Sequence, residues 1–328
     1  MNPALWIKAL RVIPRISKEE WEKLDLISKL LISSRAAVVV MTFISAAIAG
    51  LLALRDGQFH LGRWILLTIG LTFAHATNNL LNDLTDYNRG VDKDNYYRTQ
   101  YGPQVLEQGL VTKKVLLSYA ALTGGIALAA GIPLVIFGGV RALLLLIAGI
   151  VFVLFYTWPL KYIGLGELAV IIVWGPLMIG GGYDVITGVW DWNVVIASLP
   201  FALGATTVIF GKHIDKLQED KAKNIHTLPV ILGEKLSRSV AIGMIVLQYL
   251  LVFYLVAVGY FSPVMLAVVL ALYDAIRPLR MYLKPRPTEP PPDLQPGVWP
   301  MWFVAASFVH NRTFGMIFLA AMIIQVFL

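Results

Sequence analysis

The sequence has no cysteine among its 328 residues, and only 14% of its residues are charged. Without cysteine the chain can form no disulfide, no thiolate metal site and no cysteine nucleophile. The charged fraction lies well below the roughly 25% of a typical soluble domain, while hydrophobic residues reach 58%. This balance favours lipid, and not water, as the solvent around most of the chain.

Long apolar runs recur along almost the whole sequence. A helix needs roughly 20 residues to cross a hydrocarbon core about 30 Å thick. The sequence predicts nine such spans, at residues 35–54, 63–81, 115–138, 141–158, 166–187, 193–211, 239–260, 263–282 and 311–328. We therefore expect an all-α, polytopic membrane domain over residues 35–328.

The basic residues predict the orientation of these spans. With nine spans, 24 of the 27 Lys and Arg residues fall on the side of the N-terminus, and only Arg55, Arg63 and Arg141 fall on the other. Lys and Arg concentrate in cytoplasmic loops. The N-terminus and the charged loops are therefore predicted to be cytoplasmic. Because no signal-peptide cleavage pattern precedes it, the first span is expected to be retained.

Two segments stand apart from the spans. Residues 1–34 are predicted to lie at the membrane surface as an amphipathic segment, with a capping box from Ser17 to Glu20. The prolines of residues 284–297 predict an extended cytoplasmic connector. Residues 298–309 are apolar but short, which favours a half-inserted or interfacial helix over a tenth span.

A first polar set ends the second predicted span. Asn79, Asn82, Asp83 and Asp86 follow the spacing i, i+3, i+4 and i+7, so a continuous helix would place them on one face. Mg²⁺ takes oxygen ligands and is usually bound through one or two carboxylates together with substrate phosphates. The set therefore predicts a metal site for a diphosphate, although a solvated helix end is the alternative.

Basic residues follow this first set. Arg89 and Lys93 lie on the next turn and are predicted to contact phosphate oxygens. Arg98 lies further along the same loop.

A second polar set follows the sixth predicted span. Asp215 and Glu219 are four residues apart and would share a helical face, with Asp220 about 100° further round. These carboxylates predict a second metal-binding set. The alternative is a solvated helix with pairs such as Lys216 and Asp220 at i, i+4.

Several short motifs occur in one order along the chain. They are Asn82–Asp86, Arg89–Asp92, Tyr156-Thr157, Lys161-Tyr162, Gly164–Glu167, Gly175-Pro176, Thr227–Pro229 and Arg312–Gly315. With them the sequence resembles the UbiA superfamily of intramembrane prenyltransferases, most closely its menaquinone branch. The resemblance covers nearly the whole chain.

The resemblance implies a fold of nine helices around a central cavity, with both acidic motifs holding Mg²⁺ and a prenyl diphosphate. By that analogy the first motif is matched by Asn82, Asp86 and Asp92, and the second by Asp215 and Asp220. Lys161 would bind the departing diphosphate, Arg98 would help to offset its negative charge, and Tyr156 would lie beside the reacting carbon. One departure is that the spacing of four counted back from Asp220 meets Lys216 and Lys212.

The resemblance also predicts the partners. The donor would be a polyprenyl diphosphate, and the acceptor an aromatic quinone precursor such as 1,4-dihydroxy-2-naphthoate, within a shell of membrane lipids. Glu167 is either a base towards the acceptor, a group that orients a lysine, or a structural partner of Lys161. No nucleic acid is expected, and the oligomeric state stays open. The alternatives are another aromatic, lipid or carotenoid acceptor, a membrane transporter, or a scaffold derived from an enzyme.

Overall fold

The computed structural model describes residues 2–93, 102–292, 294 and 298–328. These residues form helices and connecting segments, with no β-strand among them, which confirms the predicted all-α class. The chain divides into two compact units. The first comprises Met1–Ala47 with His60–Trp158, and the second comprises Ile48–Phe59 with Pro159–Leu328.

In the described part of the chain, six helices precede residue 158. They are α1 (Pro3–Arg11), α2 (Lys18–Glu22), α3 (Leu26–Ser33), α4 (Ala36–Arg55), α5 (Leu61–Asn88) and α6 (Lys113–Phe155). Helix α4 begins in the first unit and ends in the second. Helices α5 and α6 pack against each other. This packing fixes the polar end of α5 within the first unit.

The N-terminal segment is held by two helix caps. The capping box is confirmed: Glu20 N–H donates to Ser17 Oγ at 3.2 Å, and Ser17 N–H donates to Glu20 Oε2 at 2.8 Å. The amphipathic stretch does not continue as one helix, because Asp25 caps the start of α3. Trp21 is buried in a core cluster that also contains Leu80 of α5. The segment therefore packs into the first unit.

Helix α6 is 43 residues long, or about 65 Å at 1.5 Å per residue, which is roughly twice the hydrocarbon thickness. Its regular backbone is broken at Gly139, where φ is 63° and ψ is −146°. This break falls between two predicted spans, 115–138 and 141–158. Ile136 and Val140 on either side of the break are 75% and 72% exposed, which fits side chains in contact with lipid.

The second unit contains the remaining elements. In chain order they are a 3-10 turn (Leu160–Ile163), α7 (Gly166–Ile172), a π-helical segment (Val173–Gly180), α8 (Gly181–Thr187), α9 (Trp192–Asp215), α10 (Leu217–Ala222), α11 (Leu228–Ala257), a 3-10 segment (Pro263–Ala271), α12 (Leu272–Tyr282) and α13 (Trp302–Gln325). Helix α9 is largely buried because it packs against α11, α13 and the π-helical segment.

Six helices of the described chain are long and apolar enough to cross a membrane. They are Ala36–Arg55, Lys113–Phe155, Gly166–Thr187, Trp192–Asp215, Leu228–Ala257 and Trp302–Gln325. The predicted spans 63–81 and 263–282 coincide with helical segments that do not meet this criterion. The total of nine spans therefore stays a prediction. The prediction of a separate helix at residues 298–309 is wrong, because α13 runs without interruption from Trp302 to Gln325.

Candidate functional site

The first polar set lies in the last three turns of α5, and the helix continues through it as predicted. Asn79, Asp83 and Asp86 are buried, and Asn82 is half-buried. Burial of carboxylates is costly unless they are paired, hydrogen-bonded or bound to a metal. The partners of these side chains therefore indicate what the set can bind.

Hydrogen bonds and an ion pair link the set to other parts of the first unit. Asn79 Nδ2 donates to the Ser34 carbonyl at 2.8 Å, and Thr157 Oγ1 donates to Asn82 Oδ1 at 3.0 Å. Asp83 forms an ion pair with Arg35. The charge of Asp83 is thus offset from within the protein, and the contact between Asn79 and Ser34 uses the amide nitrogen of Asn79.

The sequence pattern indicates Arg35 only as one of the basic residues before the first span. It lies in the turn between α3 and α4 with φ at 54°, a left-handed conformation that is uncommon outside glycine. Strained backbone of this kind concentrates at functional sites. Asp83 lies 48 residues further along the chain, so no local pattern could have revealed the pair.

Helix α5 ends in a turn that positions Asp92. Gly90 N–H donates to the Tyr87 carbonyl at 3.0 Å, and Val91 N–H donates to the Asp86 carbonyl at 2.9 Å. With φ at 68° for Gly90, this is the Schellman arrangement, which favours glycine at the left-handed position. Asp92 follows directly and is buried. The motif Arg89–Asp92 thus has a structural reason for its glycine.

The loop beyond the undescribed residues 94–101 packs back onto this region. Gln104 Nε2 donates to the Asp92 carbonyl at 3.2 Å. Gly102 has φ at 124°, and a Cβ atom there would overlap with Ile13 Cγ2. A larger residue at position 102 would therefore clash with the N-terminal segment.

The predicted phosphate-binding residues are distributed over both units. Arg89 and Lys93 are exposed, and the Arg89 guanidinium lies 4.7 Å from the centre of the Trp158 ring. Lys161 is half-buried in the 3-10 turn of the second unit, with its ammonium 5.5 Å from the Tyr162 ring centre. Arg98 lies outside the described residues. Tyr156 is half-buried at the end of α6.

The second polar set does not lie on one continuous helix. Helix α9 ends at Asp215, and α10 begins at Leu217 after an interruption at Lys216. Asp215 and Asp220 are buried, and Glu219 is half-buried. The helical face that Asp215 and Glu219 were expected to share is therefore interrupted between them.

Asp215 caps the start of α13. Its Oδ1 accepts from Phe303 N–H at 3.0 Å and from Arg286 Nε at 3.3 Å, and its Oδ2 accepts from Val304 N–H at 3.0 Å. Phe303 and Val304 are the second and third residues of α13. Amides at these positions lack partners inside the helix. Both oxygens of Asp215 are thus engaged by donors of the protein.

Asp220 forms an ion pair with Lys216. Lys216 Nζ lies 3.0 Å from Asp220 Oδ1, and the two side chains are 12% and 3% exposed. Asp220 Oδ2 is buried without a hydrogen-bond partner in the described part of the chain. The ammonium is therefore the group seen to offset this buried charge.

Glu167 and His213 form a buried pair that no local sequence pattern indicates. His213 Nδ1 lies 2.6 Å from Glu167 Oε1, and Leu228 N–H donates to Glu167 Oε2 at 3.3 Å. The pair links α7, α9 and α11. These contacts fit the structural alternative for Glu167, with His213 as its partner.

No group of three or more His, Cys, Asp or Glu side chains with the arrangement of a metal site occurs among the described residues. A site built from amide oxygens, one or two carboxylates and substrate phosphates, as expected for Mg²⁺, does not need such a group.

Comparison with known proteins identifies relatives that are named as prenyltransferases or as a phytyltransferase. A sequence model of the UbiA prenyltransferase family matches residues 43–292. The Drosophila melanogaster UbiA prenyltransferase domain-containing protein 1 homolog is 25% identical over 228 residues, which cover 67% of this chain and 61% of that protein. This chain thus spans less than two thirds of that relative's length. The Synechocystis 2-carboxy-1,4-naphthoquinone phytyltransferase is 27% identical over 220 residues, covering 66% of this chain and 68% of that protein.

A solved structure supports the fold. A UbiA homolog from Archaeoglobus fulgidus, determined bound to GPP and Mg²⁺, has a TM-score of 0.59 at 15% identity and covers 90% of this chain and 99% of its own. The menaquinone branch stays a prediction. Because the family match extends over most of the chain, the protein belongs to the UbiA prenyltransferase family.

Proposed function

We propose that this integral membrane protein transfers the prenyl group of a polyprenyl diphosphate to an acceptor, with Mg²⁺, and releases pyrophosphate. The carrying observation is the buried polar set at the end of α5, with Asp86 and Asp92 among its members, in a chain of the UbiA family. The A. fulgidus homolog bound to GPP and Mg²⁺ supports this donor and this metal.

The first polar set fits Mg²⁺ by its donor chemistry. Asp86 and Asp92 offer carboxylate oxygens and Asn79 and Asn82 offer amide oxygens, all hard ligands of the kind that Mg²⁺ takes. Asp83 is less suited because Arg35 already offsets its charge. When bound, Mg²⁺ would offset the negative charge on the departing diphosphate. The second set fits less well, because both oxygens of Asp215 accept hydrogen bonds from the protein.

The chain's own residues would bind the anion and exclude water. In the proposed reaction the bond between the allylic carbon and the diphosphate oxygen breaks, and its electron pair leaves with pyrophosphate. Arg89, Lys93, Arg98 and Lys161 are proposed to hold that anion. The acceptor carbon then bonds to the allylic carbon and loses its proton. Tyr156 is proposed to stabilise the allylic cation through its ring face, and apolar helices would keep water from capturing it.

The acceptor is proposed to be an aromatic quinone precursor such as 1,4-dihydroxy-2-naphthoate. The name of the Synechocystis relative, a naphthoquinone phytyltransferase, supports this class. Another aromatic, a lipid or a carotenoid is the competing acceptor class. We do not retain the transporter, because the family to which the chain belongs is one of prenyltransferases.

Pyrophosphate release by the purified chain tests the proposal. The full chain in lipid nanodiscs is incubated with labelled geranylgeranyl diphosphate and a panel of quinone precursors, polar lipids and carotenoids, and products are identified by mass spectrometry. We expect Mg²⁺-dependent prenylation of an aromatic member. Asp86→Ala should lower the rate by at least about a hundredfold, since losing charge stabilisation in a transition state costs this much.

Glu107→Ala is the matched control, because Glu107 is an exposed acid in the loop that follows the same helix. It should leave turnover unchanged. Undiminished transfer by Asp86→Ala, or by the wild-type chain in chelator, would show that the first set is not the metal site.

A further inference from the structure

Lys216 occupies the position between the two acids of the second set. It separates α9 from α10, and its peptide N–H still donates to the Lys212 carbonyl at 3.2 Å while Asp220 N–H donates to the Lys216 carbonyl at 2.9 Å. One helical turn therefore separates Lys216 from Asp220. The turn directs the ammonium onto Asp220 Oδ1 at 3.0 Å.

Asp215 is not available to a metal in this arrangement. Its three accepted hydrogen bonds come from two amides at the start of α13 and from Arg286. Turning the carboxylate towards a cation would leave those two buried amides without acceptors, and such loss is costly. Arg286 is itself fixed, since its Nη2 donates to the Pro300 carbonyl at 3.0 Å and its guanidinium lies 4.4 Å from the Trp299 ring centre.

Asp220 already has a cation. The Lys216 and Asp220 side chains are only 12% and 3% exposed, so water screens their interaction weakly. A divalent cation on the same carboxylate would be repelled by the neighbouring ammonium. An ammonium carries three N–H donors and no acceptor, so a single bond to Asp220 leaves it donors for a second anionic group.

We propose that Lys216 is the resident cation of the second acidic set, held by Asp220 in place of a divalent metal, and that its ammonium binds the diphosphate of the substrate. Of the two polar sets, the first alone then binds a divalent metal. The diphosphate part of this inference rests on the proposed function. The metal part does not, because it concerns which carboxylates accept a cation.

Direct metal binding tests the first part. Mn²⁺, a spectroscopic substitute for Mg²⁺, is titrated into the full chain in nanodiscs and counted by electron paramagnetic resonance. Asp86→Asn should lose Mn²⁺ binding, whereas Asp220→Asn should keep the wild-type count. Lys216→Asp, which replaces the ammonium by a carboxylate, should add one Mn²⁺. Loss of Mn²⁺ in Asp220→Asn to the extent seen in Asp86→Asn would overturn the proposal.

Anion binding without metal tests the second part. Pyrophosphate is titrated calorimetrically in EDTA, where a resident ammonium still attracts it. Lys216→Met should weaken binding about tenfold or more, the value of one charge-assisted hydrogen bond, and Lys216→Arg should restore it. Lys221→Met, which removes an exposed lysine of the neighbouring helix α10, is the control. Equal affinity in the wild type and Lys216→Met would overturn this part.

The melting temperature of each variant identifies misfolding, and Lys216→Arg supplies a variant that keeps the charge. If the wild-type chain binds no pyrophosphate even with Mg²⁺, the proposed function fails. The Mn²⁺ count of Lys216→Asp and Asp220→Asn still decides the assignment of Lys216 in that case.

Discussion

Asp215 and Asp220 are five residues apart, yet their carboxylates have different kinds of partner. Asp215 accepts from backbone amides and a guanidinium, and Asp220 pairs with an ammonium. The first arrangement stabilises the start of α13, and the second fixes the position of the Lys216 ammonium. The two acids are therefore expected to fail in different ways when substituted.

Asp215→Asn should destabilise the protein without changing its metal affinity. The amide keeps the shape of the carboxylate but loses one acceptor and the charge that favours a helix N-terminus. Leaving one amide of α13 unpaired costs about 1–3 kcal/mol, which thermal unfolding of the detergent-solubilised chain would detect. Glu289→Gln, at an exposed acid, serves as the control. An unchanged melting temperature together with lost Mn²⁺ binding would instead make Asp215 a metal ligand.

At the scale of the helices, Asp25 caps α3 and also accepts a hydrogen bond from α1, which packs against α3. Asp25 accepts from Ser28 N–H at 3.1 Å, from Ser28 Oγ at 2.8 Å and from the Trp6 indole at 3.1 Å. Desolvation raises the pKa of Asp25, but the bonds from Ser28 and then Trp6 outweigh it and lower the pKa from 3.8 to about 2. A carboxyl group whose pKa is lowered by folding stabilises the folded arrangement at pH values above its ordinary pKa.

The attachment of α1 should therefore persist in mild acid. Its stabilisation is complete above pH 3.8 and is lost as the pH falls through about 2. A spin label at Ile7→Cys, on the exposed side of α1, should stay immobilised at pH 4 and become mobile near pH 2. Asp25→Ala should make the label mobile already at pH 7. An immobile label in Asp25→Ala would show that apolar packing alone holds the helix.

At the scale of the whole molecule, the distribution of basic residues predicts the sidedness of the protein. Because the chain has no cysteine, single cysteines can be introduced without a background. Lys18→Cys and Gln58→Cys are both at exposed positions. In intact cells a membrane-impermeant maleimide should label Gln58→Cys and should reach Lys18→Cys only after permeabilisation. The reverse pattern would invert the predicted orientation.

Local patterns predicted much of this molecule because they act over one or two helical turns. The continuous α5 through Asn79 and Asp86 and the capping box at Ser17 follow from spacing that adjacent residues set. The break of α6 at Gly139 coincides with the predicted boundary between spans 115–138 and 141–158, because both depend on the residues of that short segment. The predicted helix over residues 298–309 failed because packing continues α13 beyond the limit that hydropathy indicated.

The sequence by itself determined that lipid surrounds most of the chain, that the fold is helical and that the first polar set shares one helical face. Composition and periodicity are enough for these conclusions. Only the tertiary structure decided which charged side chains are paired with other groups of the protein. Asp83 meets Arg35 across 48 residues, Glu167 meets His213 across 46, and Asp215 meets Phe303 across 88. Burial makes such pairs obligatory, because an isolated charge in a low-dielectric interior is costly. The partner of each charge depends on which helices pack together, and no local spacing records that choice.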